Sequence, residues 1–263
     1  MVRQRYLLAV EYVGDAFCGW QAVPSMPSVQ QALEASLERL GDVNVVGSSR
    51  TDRGVHAWHN VCHVDLVSDV ERPARSLRGC ANQNLRRVNK QVQVLSAMKV
   101  SEDIHARFSA QERTYVYRIR HGTDQVSVFE RGKVWHVRRQ LDVERMQHAA
   151  KAMEGRRDFA RWRGAGCQAS SSLRTLDEFD VRRDEQGSDS LLSVNARAKS
   201  FLYKQVRMMV ATLVACGQGS IQVQDIEAMF QDKDYPMLQP KQIAPPHGLY
   251  LANVKYGFPI LNE

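Results

Sequence analysis

Gly47-Ser48-Ser49-Arg50-Thr51-Asp52-Arg53-Gly54-Val55-His56-Ala57 packs arginines, a carboxylate and glycines into a run with almost no aliphatic content. Such a composition does not build a core. The apolar pair Val45-Val46 precedes it and a β-like run from Asn60 to Leu66 follows, so the spacing predicts a loop between two strands. Charges at a turn are usually just solvated, but loops carried on a rigid scaffold are also where binding and catalytic groups sit.

Working outward, the loop falls in the middle of a regular series. On its N-terminal side, Tyr6 to Tyr12 reads as a strand ending at Gly14-Asp15. Ser28-Val29-Gln30-Gln31 is a Ser-x-x-Gln capping box, and Val29, Leu33, Leu37 and Leu40 then share one helical face before Gly41. On the C-terminal side, the arginine-rich stretch Glu71 to Arg87 includes a helix and Gln91 to Val100 alternates as a strand. Strand, helix, strand, strand, helix, strand is the order of a ferredoxin-like half.

His105 to Glu112 leads into a further strand, Thr114 to Ile119. Beyond it the pattern predicts a helix over Leu141–Met153 and strands over Leu176–Val181 and Leu191–Ala198. A long apolar helix over Phe201–Cys216, a short one over Gln222–Phe230 and a closing strand over Leu249–Val254 complete the chain. The expectation is an α+β chain of two lobes, 1–105 and 106–263, with continuous sheets. No sequence repeat relates the lobes.

The 263 residues are 43% apolar, enough for real cores without staples. The net charge of +7 favours polyanions such as nucleic acid. Five scattered cysteines with no Cys-x-x-Cys pair argue against a disulfide framework or a zinc knuckle and for a reducing compartment. No apolar run reaches the roughly 20 residues that span a bilayer. Nor does Met1 to Tyr12 read as a secretory signal, and an intracellular protein, cytoplasmic or mitochondrial, is expected.

The central loop resembles the active-site motif of the TruA family of tRNA pseudouridine synthases, Gly-Arg-Thr-Asp-x-Gly-Val-His-Ala. Ser49 stands where many members have Gly and Arg53 where many have Ala. Three further stretches are similar to the same family and follow its order. They are His105-Ala106-Arg107-Phe108-Ser109-Ala110 with Arg113-Thr114-Tyr115-Val116-Tyr117; Ser200 to Val210, containing Phe201-Leu202-Tyr203-Lys204-Gln205-Val206-Arg207; and Ala244-Pro245-Pro246-His247-Gly248-Leu249-Tyr250-Leu251. The wording Ser-Ser-Arg-Thr-Asp and Phe-Leu-Tyr-Lys-Gln-Val-Arg-Met-Met resembles the eukaryotic synthase-like branch.

The resemblance implies a pseudouridine synthase fold of two ferredoxin-like lobes, with a mixed, mostly antiparallel sheet and a central cleft. It also implies isomerisation of uridine to pseudouridine in tRNA, in the anticodon stem-loop, by a homodimer. Asp52 would be the catalytic carboxylate, Tyr115 the ring lying against the target base and Arg207 the partner of Asp52. Arg50, Arg53, His56 and Arg113 are candidate RNA contacts, and Arg72, Arg75, Arg78, Arg86 and Arg87 a basic run for the tRNA backbone. The chemistry implied needs neither metal nor redox cofactor.

Elementary chemistry fits these roles. A uridine in a stem must be flipped out to react, at a cost of a few kcal/mol, and an aromatic ring returns about 1 to 3 kcal/mol per stacked base. An arginine inside the apolar run Val206 to Val214 either snorkels to the surface or meets an acid. Two rival readings stand beside this one. Asp52, His56, His59 and His63 would line one face of a helix as metal ligands for a nuclease, although Gly54 and the β character of Asn60 to Leu66 oppose that geometry. The other rival is a catalytically inactive RNA-binding module on the same scaffold.

Overall fold

In the computed structural model the described residues are 1–88, 91–123, 125–183, 190–232, 234–236 and 243–260. They divide into two compact units, Met1–Arg113 with Tyr250–Glu263, and Thr114–Leu249.

The first unit carries β1 (Val2–Tyr12), α1 (Val29–Leu37), β2 (Asp42–Gly47), β3 (His56–Ser68), α2 (Ala74–Val88) and β4 (Val92–Val100). β1 pairs antiparallel with both β3 and β4, and β2 pairs antiparallel with β3, giving the order β4-β1-β3-β2 of a ferredoxin-like lobe. The capping box forms as the sequence predicts. Ser28 Oγ accepts from the Gln31 N–H at 3.2 Å and Gln31 Oε1 accepts from the Ser28 N–H at 3.2 Å. Val29, Leu33 and Leu37 are buried, while Leu40 falls in a 3-10 turn after the helix. α2 buries Ala74, Leu77, Ala81 and Leu85 and leaves Arg75, Arg86 and Arg87 exposed.

Two strands start earlier than their apolar runs suggest. β1 begins at Val2, its charged Arg5 lying opposite Asp65 of β3 with bonds of 2.7 and 2.8 Å, so an ion pair replaces the missing apolar signal. β3 begins at His56 because His56 and Ala57 pair in parallel with Tyr250 and Leu251 of β10 (Leu249–Lys255), a partner far away in sequence.

The second unit contains most of β5 (Glu112–His121), then β6 (Trp135–Val137), α3 (Val143–Met153), β7 (Gly155–Asp158), β8 (Leu173–Arg183), β9 (Leu191–Ala198), α4 (Gln205–Gly217) and α5 (Val223–Gln231). β7, β8 and β9 run antiparallel in sequence, and β6 joins β5 in parallel. Strand, helix, strand, strand, helix is again the ferredoxin-like order, with β6 and β7 added. α4 is buried almost all round, as an apolar helix inside a lobe must be. It starts at Gln205, later than Phe201, because Lys204 takes a left-handed φ of 59° and the Gln205 side chain accepts the Leu202 N–H at 2.8 Å.

The sequence puts the join between lobes after residue 105, whereas the units part after Arg113. Local bonds keep the intervening segment in the first unit. The Ala106 N–H donates to His63 Nδ1 at 3.1 Å, the Tyr256 hydroxyl donates to the Ala106 carbonyl at 2.6 Å, and Arg113 reaches back to Ser48.

Candidate active site

The loop carrying Asp52 is held from every side that its own unit offers. At its entrance Gly47 lies against the Trp20 indole so closely that a Cβ would sit 2.4 Å from the ring, so no larger residue fits. Gly19 and Asp52 form a β-bridge, Trp20 N–H donates to the Thr51 carbonyl at 3.1 Å, and Val55 N–H donates to the Asp52 carbonyl at 3.1 Å. The backbone on both sides of the carboxylate is therefore fixed before any ligand arrives.

Buried side chains complete the frame. Asn60, fully buried on β3, accepts from Ser48 Oγ at 2.9 Å and donates to the Tyr12 hydroxyl at 3.1 Å and the Ser49 carbonyl at 3.3 Å. The Tyr12 hydroxyl in turn shares a 2.8 Å hydrogen bond with Thr51 Oγ1. Every member of this network has a partner, which is the condition for a polar interior to rigidify.

His56 and Arg113, expected among the RNA contacts, lie in the interior. His56 Nδ1 accepts the Gly14 N–H at 2.9 Å, which leaves the ring proton on Nε2, 3.9 Å from Asp15 Oδ1. Its ring stacks on Tyr250 at 4.8 Å. Arg113 forks onto backbone carbonyls, donating to Ser48 at 3.1 Å, Arg107 at 2.8 Å and Ala110 at 3.2 Å. Their positions are those of braces. Arg50 and Arg53, by contrast, are exposed on the loop, and Asp52 is half-buried.

In the second unit the remaining motifs converge on one another. Arg207 sits in the first turn of α4, 8% exposed, and its Nε donates to the Ala244 carbonyl at 2.8 Å. Held there and buried, the side chain does not snorkel to the surface, and the Ala244 N–H donates in turn to the Arg207 carbonyl at 3.4 Å. Tyr117, buried, donates its hydroxyl to the Pro245 carbonyl at 2.7 Å, and Gly248 lies flat against its ring. Tyr115, half-buried on the same strand, meets Phe201 edge-on at 5.3 Å. Tyr117 thus packs, while Tyr115, two residues earlier on the strand, keeps part of its surface open.

The helical reading of Asp52, His56, His59 and His63 fails on geometry. His56 to His63 is extended strand and not helix, so spacings of three and four residues do not bring these side chains together at one point. Among the described residues no three His, Cys, Asp or Glu side chains are placed to share a metal.

A sequence profile described as tRNA pseudouridine synthase matches residues 8–109 and 149–257. The chain belongs to that family. It is 41% identical over 254 residues to tRNA pseudouridine synthase A of Agrobacterium fabrum, covering 96% of this chain and 92% of the relative. It is likewise 41% identical to the enzyme of that name from Maricaulis maris, covering 97% and 99%, and 44% identical to that of Methylobacterium nodulans, covering 96% of each. These relatives are bacterial, so the leaning toward a eukaryotic branch rests on the wording of residues 48–52 and 201–209 alone. The pseudouridine synthase matches span both units, and all four motifs quoted from the sequence fall on or beside the matched segments.

Sequence reasoning missed Asn60, Tyr12, Trp20 and Gly14 as parts of the site frame. Asn60 carried a usable signal, since a buried asparagine inside an apolar strand must find partners. Gly14 and Trp20 carried none, because their role depends on Val55 and Gly47 arriving from elsewhere in the chain: a Cβ on Gly14 would stand 2.1 Å from the Val55 carbonyl oxygen. No helix among the described residues is long and apolar enough to cross a membrane.

Proposed function

We propose that the chain isomerises uridine to pseudouridine in tRNA with Asp52 as the catalytic carboxylate. The observation that carries this reading is the fixed backbone of the Asp52 loop, bridged to Gly19 on one side and closed by Val55 on the other, within the family's matched segment. The reaction breaks the bond from ribose C1′ to uracil N1 and remakes it to C5; the C5 proton leaves to solvent and N1 gains one. A carboxylate must stay ionised beside the sugar and base while they separate. Burial alone would raise its pKa, whereas a guanidinium partner favours the anion, and we assign that role to Arg207.

Tyr115, with part of its ring surface open, is assigned the face that holds the flipped uracil. Arg50 and Arg53 and the exposed arginines of α2 are assigned to the phosphate backbone, where an excess of positive charge gives sequence-independent affinity. His56 and Arg113 are assigned to holding the loop. The target is a uridine of the anticodon stem-loop, and the working form is a homodimer, both as the family resemblance implies.

The test is tritium release from tRNA carrying C5-tritiated uridine, run for the wild type and Asp52→Ala with and without a chelator. Release by the wild type, abolished in the variant and indifferent to chelator, is the expected result. Absence of release by wild-type protein that still binds tRNA would instead support the inactive binding module.

A further inference from the structure

β3 buries or half-buries every residue but one. The exception is Trp58, 44% exposed, while Trp20, Trp135 and Trp162 are 1%, 8% and 3% exposed. A single exposed aromatic residue is unremarkable in itself. What distinguishes Trp58 is that its indole is stacked at 4.6 Å and 28° on Tyr250, which is 6% exposed and is itself stacked, at 4.8 Å and 28°, on buried His56. The strand pairing of His56 with Tyr250 fixes the register of this three-ring pile, and the Gly14 N–H fixes His56.

We propose that Trp58 is a stacking platform for a base of the RNA substrate, preorganised by the His56–Tyr250–Trp58 ring pile. The inference rests on the reading that the chain binds RNA. An indole already held by one face loses little freedom when a ring lands on it, so most of the stacking free energy appears as affinity. Charge selects a nucleic-acid base as the occupant. The strand that presents Trp58 issues directly from the loop with exposed Arg50 and Arg53, in a chain of net charge +7. An exposed aromatic face on a strand that follows a loop with exposed arginines suits a base on a phosphodiester backbone.

Because Trp58 is the most exposed of the four tryptophans, its emission can be followed in the intact protein. Saturating tRNA is expected to quench the wild-type fluorescence and shield it from acrylamide, and Trp58→Phe to lose that response while binding tRNA within about threefold of wild type. Trp58→Ala is expected to weaken tRNA binding about 5- to 100-fold, raising KM more than it lowers kcat, with an unchanged thermal midpoint. Unchanged emission and accessibility at saturating tRNA would overturn the proposal, as would wild-type affinity in Trp58→Ala. Shielding that grows with protein concentration in the absence of RNA would also overturn it, by assigning the face to a second copy. Quenching without tritium release from labelled tRNA would leave the platform standing and remove the isomerase reading, so the two fail separately.

Discussion

The guanidinium of Arg113 donates to the Ser48 carbonyl at 3.1 Å, tying the start of β5 to the loop that carries Asp52. Its other bonds hold the carbonyls of Arg107 and Ala110, so one buried side chain clamps two motif segments. Arg113→Met leaves those carbonyls without donors inside the lobe, at about 3 kcal/mol of stability in urea unfolding. A phosphate contact behaves differently. Its removal lowers the slope of log K against log salt by about one. The slope for tRNA binding is expected to fall in Arg53→Gln and to stay put in Arg113→Met; a reduced slope in the Arg113 variant would return that residue to the RNA contacts.

Gly248 is demanded by Tyr117. A Cβ there would stand 2.6 Å from the ring's Cε1 and 2.7 Å from its Cζ, and the ring cannot swing away because it is fully buried with its hydroxyl on Pro245. Gly248→Ala is therefore expected to cost about 2 kcal/mol by overpacking. Tyr117→Phe keeps the clashing carbons and gives no relief, whereas Tyr117→Leu removes them. The double variant Gly248→Ala/Tyr117→Leu should then be less destabilised than the sum of its singles. Additive losses would mean that the ring is not the obstacle.

His63 makes folding pH-dependent. Burial, reinforced by the Arg5 guanidinium, pushes its pKa down to about 4 from 6.5. Its Nδ1 accepts the Ala106 N–H at 3.1 Å, a bond that the neutral tautomer with its proton on Nε2 makes. The folded state thus refuses a proton that the unfolded chain takes up below pH about 6.5. Stability is complete above that pH and falls as the pH drops toward about 4, by up to about 3 kcal/mol. His105, partly exposed and edge-on to His63 at 4.7 Å, shifts in the same direction. His63→Asn keeps an acceptor and cannot titrate, so its denaturation midpoint should lose most of the slope between pH 6.5 and 4; an unaltered slope would assign the effect to other groups.

Local rules made much of this legible. The Ser28 capping box, the amphipathic face of α1, the alternation of β4 and the strand–loop–strand around Asp52 all follow from residues close in sequence. What escaped depends on distant partners. β7 reads Gly-Arg-Arg-Asp, with no apolar residue, and is a strand only because β8 lies beside it. The early start of β3 needs β10, and the join after Arg113 needs the carbonyl of Ser48. In the site, Arg113 and Arg53 look alike in sequence, both charged and both beside a motif. One faces backbone carbonyls and the other solvent, a difference created by packing alone.

Arg207 gives the sharpest separation of charge from geometry. Its Nε is committed to the Ala244 carbonyl at 2.8 Å, which orients the plane of the remaining guanidinium nitrogens from within the second unit. Arg207→Lys retains a cation but loses both that anchor and the planar fork, and a flexible ammonium cannot restore a bidentate contact to a carboxylate. If Arg207 holds Asp52 in its ionised, oriented form, kcat for tritium release should fall by about 100-fold or more in Arg207→Lys, while tRNA affinity changes little, since neither group acts on the phosphate backbone. Wild-type kcat in the lysine variant would show that charge alone suffices and that the Ala244 anchor serves only the packing of α4.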